Sequence, residues 1–137
     1  MTIRYEINTA ISVDEFVDLL TRSTLSERRP IHDKACMKGM IENTNLCISA
    51  WEDETLIGIA RCMTDFHYAC YLSDLAVDQQ YQKHGIGKTL QMQVQSQLND
   101  KCKMILIAAP TANDYYQHIG FTNNERCWVL ERHQTIN

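Results

Sequence analysis

Hydrophobic positions along this chain recur with a period of two in some stretches and of three to four in others, and the change of rhythm divides the sequence into elements. Ile3, Tyr5 and Ile7 alternate with Arg4 and Glu6, which predicts a short first strand over 3–7. Ser12 precedes an apolar face of Phe16, Val17, Leu19 and Leu20, with Glu15 three residues after it, so a capped helix is expected to open there. The polar stretch 23–30 ends at Pro30 and separates that helix from a second over 33–42. Three β-prone runs follow, 46–51, Thr55–Thr64 and Ala69–Val77, with Glu52-Asp53-Glu54 as a compact turn between the first two. They read as an antiparallel meander. From Gly85 onward Ile86, Leu90, Val94 and Leu98 recur every four residues among glutamines, the pattern of an amphipathic helix.

Met104-Ile105-Leu106-Ile107, inside 103–108, then reads as a buried strand parallel to the one before the helix, which makes 69–108 a β-α-β unit. Pro110 and Thr111 open a short helix that ends at Gly120, and 127–130 supplies a last strand. No internal repeat or flexible linker interrupts the chain, and 137 residues suit one core. The expectation is a single domain over 1–137, of mixed α/β class, with a central twisted mixed sheet and helices on both faces.

Composition narrows the partners more than the chemistry. Thirteen Lys and Arg against 17 Asp and Glu give a formal charge of −4 with no basic stripe, so nucleic acid is not an expected partner. The mild acidity suits a cationic amine, but it equally serves solubility. No apolar run approaches the roughly 20 residues of a membrane helix, so no membrane partner is expected. Six cysteines lie mostly in apolar stretches and the N-terminus carries no apolar run, which reads as a cytoplasmic protein with reduced thiols. His67-x-x-Cys70 has no second pair to complete a zinc site, and no metal is expected.

The chemistry is concentrated after the fourth strand. A strand running through Leu75, Ala76 and Val77 into a loop with Gly85 and Gly87, and then into a helix, aims backbone N–H groups and the positive end of a helix dipole at an anion. Lys83 and Lys88 add charge, and Gln82 adds an amide donor. A P-loop needs glycine where Gln82 stands, and a dinucleotide loop needs one where Leu90 stands, so both familiar motifs fail. Two glycines alone would mark only a tight turn. The wider string Gln82-Lys83-His84-Gly85-Ile86-Gly87-Lys88, preceded by Asp74-Leu75-Ala76-Val77, resembles the acetyl-coenzyme A motif of the GNAT superfamily of N-acetyltransferases. Further on, Asn113-Asp114-Tyr115-Tyr116-Gln117-His118-Ile119-Gly120-Phe121 resembles its second signature, an aromatic pair followed by Gly-Phe. The likeness covers about 46–121.

The resemblance implies acetyl-CoA as co-substrate, its pyrophosphate on the amides of Gln82, Lys83, His84, Gly85, Ile86, Gly87 and Lys88. It implies a pantetheine arm laid along Leu75, Ala76 and Val77, in a gap where the sheet splays between its fourth and fifth strands. Asn113 and Tyr116 are then further cofactor contacts, and Tyr116 is the acid that protonates the departing thiolate. Helix spacing puts Tyr115 with Ala112 and Ile119 as the core aromatic instead. Transfer would proceed by direct attack of a primary amine, on a small molecule or a peptide, in a ternary complex, with the backbone N–H near Leu75 facing the oxyanion.

The base is less defined. Asp74, if the strand is regular, shares an apolar face with Leu72 and Ala76, where its pKa would be raised; a structural Asp bonded to backbone amides is the competing reading. Tyr71, where the family often has its base, is a poor one; His67, Asp65 or a water chain are alternatives. Arg28 and Arg29 fall where the family builds one wall of the acceptor site, although a solvated loop fits them too. A non-catalytic CoA-binding sensor or interaction module is the alternative function, and an ATP binder a third. A homodimer paired through 127–130 is an open possibility.

Overall fold

The structure, a computed structural model, describes residues 2–137; Met1, the first residue of the expected domain, lies outside the described residues. The chain divides into two compact units, one ending at Ile107 and the other beginning at Ala108. The larger contains β1 (Arg4–Ile7), α1 (Val13–Ser23), α2 (Lys34–Glu42), β2 (Leu46–Glu52), β3 (Thr55–Thr64), β4 (Ala69–Val77), α3 (Ile86–Ser96) and β5 (Lys103–Ile105). Short 3-10 turns at Leu25–Arg28 and Gln79–Tyr81 follow α1 and β4.

The capping box at Ser12 forms as its spacing predicts. Glu15 N–H donates to Ser12 Oγ at 3.1 Å, and Ser12 N–H donates to Glu15 Oε1 at 3.2 Å. Asp33 does the same for α2, its side chain accepting from Cys36 N–H at 3.0 Å. Each cap satisfies donors that a helix start leaves orphaned.

The sheet order is β1-β2-β3-β4-β5, antiparallel through β4 and parallel between β4 and β5. One face carries Ile48, Ala60, Cys62 and Leu72 against Ile86, Leu90 and Val94 of α3. The other carries Ile59, Leu56 and Ala76 against Phe16, Leu19 and Leu20 of α1 and Met37 of α2. Helices therefore cover both faces, and the sheet is the shared wall of two apolar clusters. Gly58 lets α3 approach β3 closely, since a Cβ there would lie 3.2 Å from Leu90 Cδ1 and 3.3 Å from Ile86 Cγ2.

Two expectations need correction. The strand after α3 is three residues long, and Ile105 and Ile107 are exposed rather than buried, because only one face of this short edge strand is covered. Residues 127–130 form no strand: in the smaller unit the described elements are a 3-10 turn at Pro110–Ala112 and α4 (Asn113–His118). Trp128 is 90% exposed. A β-prone run has no strand geometry without a partner to take its N–H and C=O groups. Gly120, at φ 108°, ends the helical segment in the left-handed region, with Phe121 N–H donating to the Tyr116 carbonyl at 3.0 Å.

Replacing Ser12 by Ala removes the box. Urea unfolding should show a loss of about 1 kcal/mol, with the slope of the transition unchanged.

Candidate active site

The fourth strand is not regular, and its irregularity organises the site. In the β3–β4 ladder Arg61 pairs with Asp74 and Cys62 pairs with Leu72, which leaves Ser73 as an extra residue in β4. An extra residue reverses the facing of everything after it. Cys70 and Leu72 accordingly lie in the α3-side cluster, whereas Ala76 lies in the α1-side cluster. Asp74 therefore does not share a face with Leu72, contrary to the reading of a regular strand.

Asp74 is also not in apolar surroundings. Its side chain is fully buried, but Arg61 Nε donates to Oδ2 and Arg29 Nε donates to Oδ1, each at 2.5 Å. Arg61 continues with Nη2 to Ser73 Oγ at 2.9 Å, and with Nη1 to the Met40 carbonyl at 3.0 Å and to Thr44 Oγ1 at 3.1 Å. Arg29 continues with Nη2 to the Ser73 carbonyl at 2.8 Å. The carboxylate is thus the centre of a buried ion network, with both oxygens committed, and is unsuited to take a proton from an acceptor. Arg29 is likewise committed inward, while Arg28 beside it is exposed. Arg61 is a residue that sequence reasoning missed. Its signal was a charge inside the otherwise apolar run 56–62, which only a buried partner can accommodate.

The alternative bases fare differently. Asp65 Oδ1 accepts the backbone N–H groups of His67, Tyr68 and Ala69, which hold its carboxyl down to about 2. It builds the β3–β4 turn and is a weak base. His67 is exposed in that turn.

Beyond Tyr71 the two last strands part. Pairing between β4 and β5 covers Ala69, Cys70 and Tyr71 alone, whereas β4 runs on to Val77. Asp78 N–H donates to the Ile57 carbonyl at 2.8 Å, on the β3 side. Since N–H directions alternate along a strand, those of Leu75 and Val77 point the other way, into the gap. Gln82 Nε2 reaches back to the Val77 carbonyl at 3.3 Å and closes the far end of this open edge.

The connection to α3 is fixed at its start and free at its end. Asp78, nearly buried, accepts Arg22 Nη1 and Gln80 N–H, and Tyr81 Oη donates to Glu52 Oε1 at 2.5 Å. Lys83 (φ 69°) and Gly85 (φ 75°) are left-handed, and Gln82, Lys83, His84 and Gly85 are exposed. The helix begins at Ile86 with no side-chain cap, and a Cβ on Gly85 would meet nothing within 4 Å. The first N–H groups of α3, through Gly87 and Lys88, are therefore presented without a side-chain partner, at a turn that suits an anion. One turn on, Gln91 is buried with Oε1 lacking any partner among the described residues.

On the sheet face of Asp74 and Ala76, the row Met63, Tyr71 and Ile105 crosses β3, β4 and β5 in register and is 36–41% exposed. It begins where the helices of that face stop.

In the smaller unit, Tyr116 is half-buried, packed edge-on to Tyr115 (5.2 Å between centroids) and Phe121 (5.5 Å). Tyr115 is 38% exposed, so it is not the core aromatic of the pair. Tyr116 also lies four residues after Ala112 and three before Ile119, and this alternative spacing is the one that packs. Burial, with a smaller contribution from Tyr115, raises the Tyr116 phenol above its ordinary value near 10. Asn113, at the start of α4, is exposed.

Among relatives, 32% identity over 112 residues links 77% of the chain to 61% of a protein of Prochlorococcus marinus described as an uncharacterized ycf52-like N-acetyltransferase. A ycf52 N-acetyltransferase of Gracilaria tenuistipitata is 28% identical, over 84% of this chain and 68% of that one. The matched stretch of the chain thus spans 61% and 68% of the length of these two relatives. Solved structures share the fold at low identity. A GNAT-family acetyltransferase of Streptococcus pneumoniae superposes with a TM-score of 0.69 at 15% identity, covering 96% of this chain and all of that one. An aminoglycoside N-acetyltransferase in complex with CoA gives 0.72 at 18%, over 97% and 96% of the two chains. The sequence profile described as the acetyltransferase (GNAT) domain matches residues 17–129, across both units and most of the sequence, and the chain belongs to that family.

Proposed function

We propose that this protein transfers the acetyl group of acetyl-CoA to a primary amine by direct attack in a ternary complex, as one acetyltransferase domain. The observation that carries the proposal is the open edge of β4, whose Leu75 and Val77 N–H groups face a gap and which leads into an uncapped helix start. An extended, amide-bearing arm completes such an edge as an added strand does, and a pyrophosphate completes the helix start. From Val77 to Ser73 the strand advances about 13 Å, so an arm anchored at Gln82, Lys83, His84, Gly85, Ile86, Gly87 and Lys88 brings its acyl end to the bulge. Gln91 Oε1, one turn along α3, offers an acceptor to a polar group held there.

The residues then divide the chemistry. The N–H of Leu75 is oriented to take up charge developing on the acyl oxygen. Tyr116 is the proton donor to the departing thiolate and Asn113 a further cofactor contact. Because burial raises the Tyr116 phenol, it stays protonated through the neutral range. With Asp74 and Arg29 committed to each other, Arg28 remains as the acceptor-facing cation, and the amine proton leaves through water. The Met63, Tyr71 and Ile105 row is the floor for the acceptor, which favours an amine carried on an apolar body.

Acetyl-CoA at about 100 times its dissociation constant should stabilise the protein by about 2.7 kcal/mol, raising Tm by a few degrees. Gly85→Ala, which forces a Cβ onto a left-handed backbone at the phosphate approach, should abolish most of that rise. An unchanged rise would remove the loop from the site.

Tyr116→Phe should lower kcat by about 100-fold with little effect on acetyl-CoA affinity. In the unmodified protein any alkaline loss of kcat due to this group should come at higher pH than for an ordinary phenol. Equal turnover in the variant would remove Tyr116 from the mechanism and leave the acid to another group.

Tyr71→Ala should raise KM for an aromatic monoamine such as phenethylamine about 10-fold, leaving KM for acetyl-CoA within twofold. Faster turnover of an aminoglycoside than of any apolar monoamine would contradict the assignment of the floor.

A further inference from the structure

Ser73 is the extra residue of the β4 bulge, so the ladder with β3 does not fix it in register. It is instead gripped from both sides. Arg61, reaching from β3, takes the Ser73 hydroxyl at 2.9 Å and the Asp74 carboxylate. Arg29, reaching from the connection between α1 and α2, takes the Ser73 carbonyl at 2.8 Å and the other oxygen of the same carboxylate. Main chain and side chain of two successive residues are held by two planar guanidinium forks, whose geometry fixes direction as well as distance. The next peptide group carries the N–H of Leu75.

We infer that Arg29 is a positioning residue for acetyl transfer, tying the α1–α2 connection to the bulge and so setting the direction of the Leu75 N–H. The inference rests on the acetyl-transfer reading above. Its logic is one of tolerance, since a donor facing a developing charge must be held to within about 0.5 Å and 10–20°. A bulge constrained only by its own backbone does not meet that tolerance. Arg61 alone does not supply the constraint either, because it holds the Ser73 hydroxyl and leaves the Ser73 carbonyl to Arg29.

The two arginines differ in how far they can be removed. The Arg61 side chain is 4% exposed and carries further bonds to the end of α2, so its loss disturbs the core. Arg29 is 22% exposed at its side chain and sits where the 3-10 turn ends. Its neighbour Arg28 shares the same short segment and is exposed.

The test uses Arg29→Lys and Arg29→Met in the full chain. Lysine keeps a charge for Asp74 but brings one ammonium where a fork spanned two acceptors. The expected result is a kcat about 10- to 100-fold lower in both variants. Acetyl-CoA affinity, read by thermal shift, should stay within twofold, and Tm should be largely restored in Arg29→Lys relative to Arg29→Met. A role limited to stability predicts instead that kcat returns with Tm in Arg29→Lys, and that outcome overturns the inference. Full turnover in Arg29→Met also overturns it. Absence of turnover and of an acetyl-CoA shift in the unmodified protein would overturn the acetyl-transfer reading itself, and the inference with it.

Discussion

Asp74 brings a negative charge into the interior of the sheet, and the residues around the bulge are arranged to accommodate it. An unpaired carboxylate at such a depth costs several kcal/mol, and the penalty falls only when opposite charge and hydrogen-bond donors are already in place. Arg61 and Arg29 supply both. Because they approach from β3 and from the α1–α2 connection, meeting the needs of one carboxylate also fixes the register of β4 and the path of a surface segment. The bulge at Ser73, which reverses the facing of the strand, sits within this network. Without that reversal Leu75 and Val77 would not both pack toward α3 while sending their N–H groups into the gap.

The gap has a similarly simple origin. A strand of nine residues faces a parallel neighbour of three, so most of its outer edge lacks a partner. An open edge of this kind is a liability in a protein with no use for it. Here it runs from the bulge to the glycine-bearing turn, and both ends have donors without side-chain partners. Local under-satisfaction of hydrogen bonding is thus concentrated along one line, the line on which the proposed acetyl donor would lie.

Much of this was legible in the sequence because it depends on near neighbours. Ser12 and Glu15, the β-prone runs Thr55–Thr64 and Ala69–Val77, and the four-residue spacing of Ile86, Leu90 and Val94 each specify local geometry, and each formed where its pattern predicts. The loop glycines were informative for the same reason. What could not be read depends on pairing at a distance. The bulge at Ser73 exists only relative to β3, and Arg61 and Arg29 meet Asp74 from 13 and 45 residues away. Asp74 thus read as either a base or a structural carboxylate until its partners were known. The run 127–130 has the composition of a strand, but strand formation requires an edge to pair with. At the short helix after Pro110, two spacings competed for which tyrosine is buried, and packing against Phe121 selected Tyr116.

The central claim is that the outer edge of β4 receives the acetyl donor, and amide hydrogen exchange tests it at the atoms concerned. Exchange at the Leu75 and Val77 N–H groups, followed with and without saturating acetyl-CoA, should slow markedly on binding, while Ala76, already directed toward β3, changes little. Unaltered exchange at Leu75 and Val77 under conditions where acetyl-CoA is bound would contradict the account.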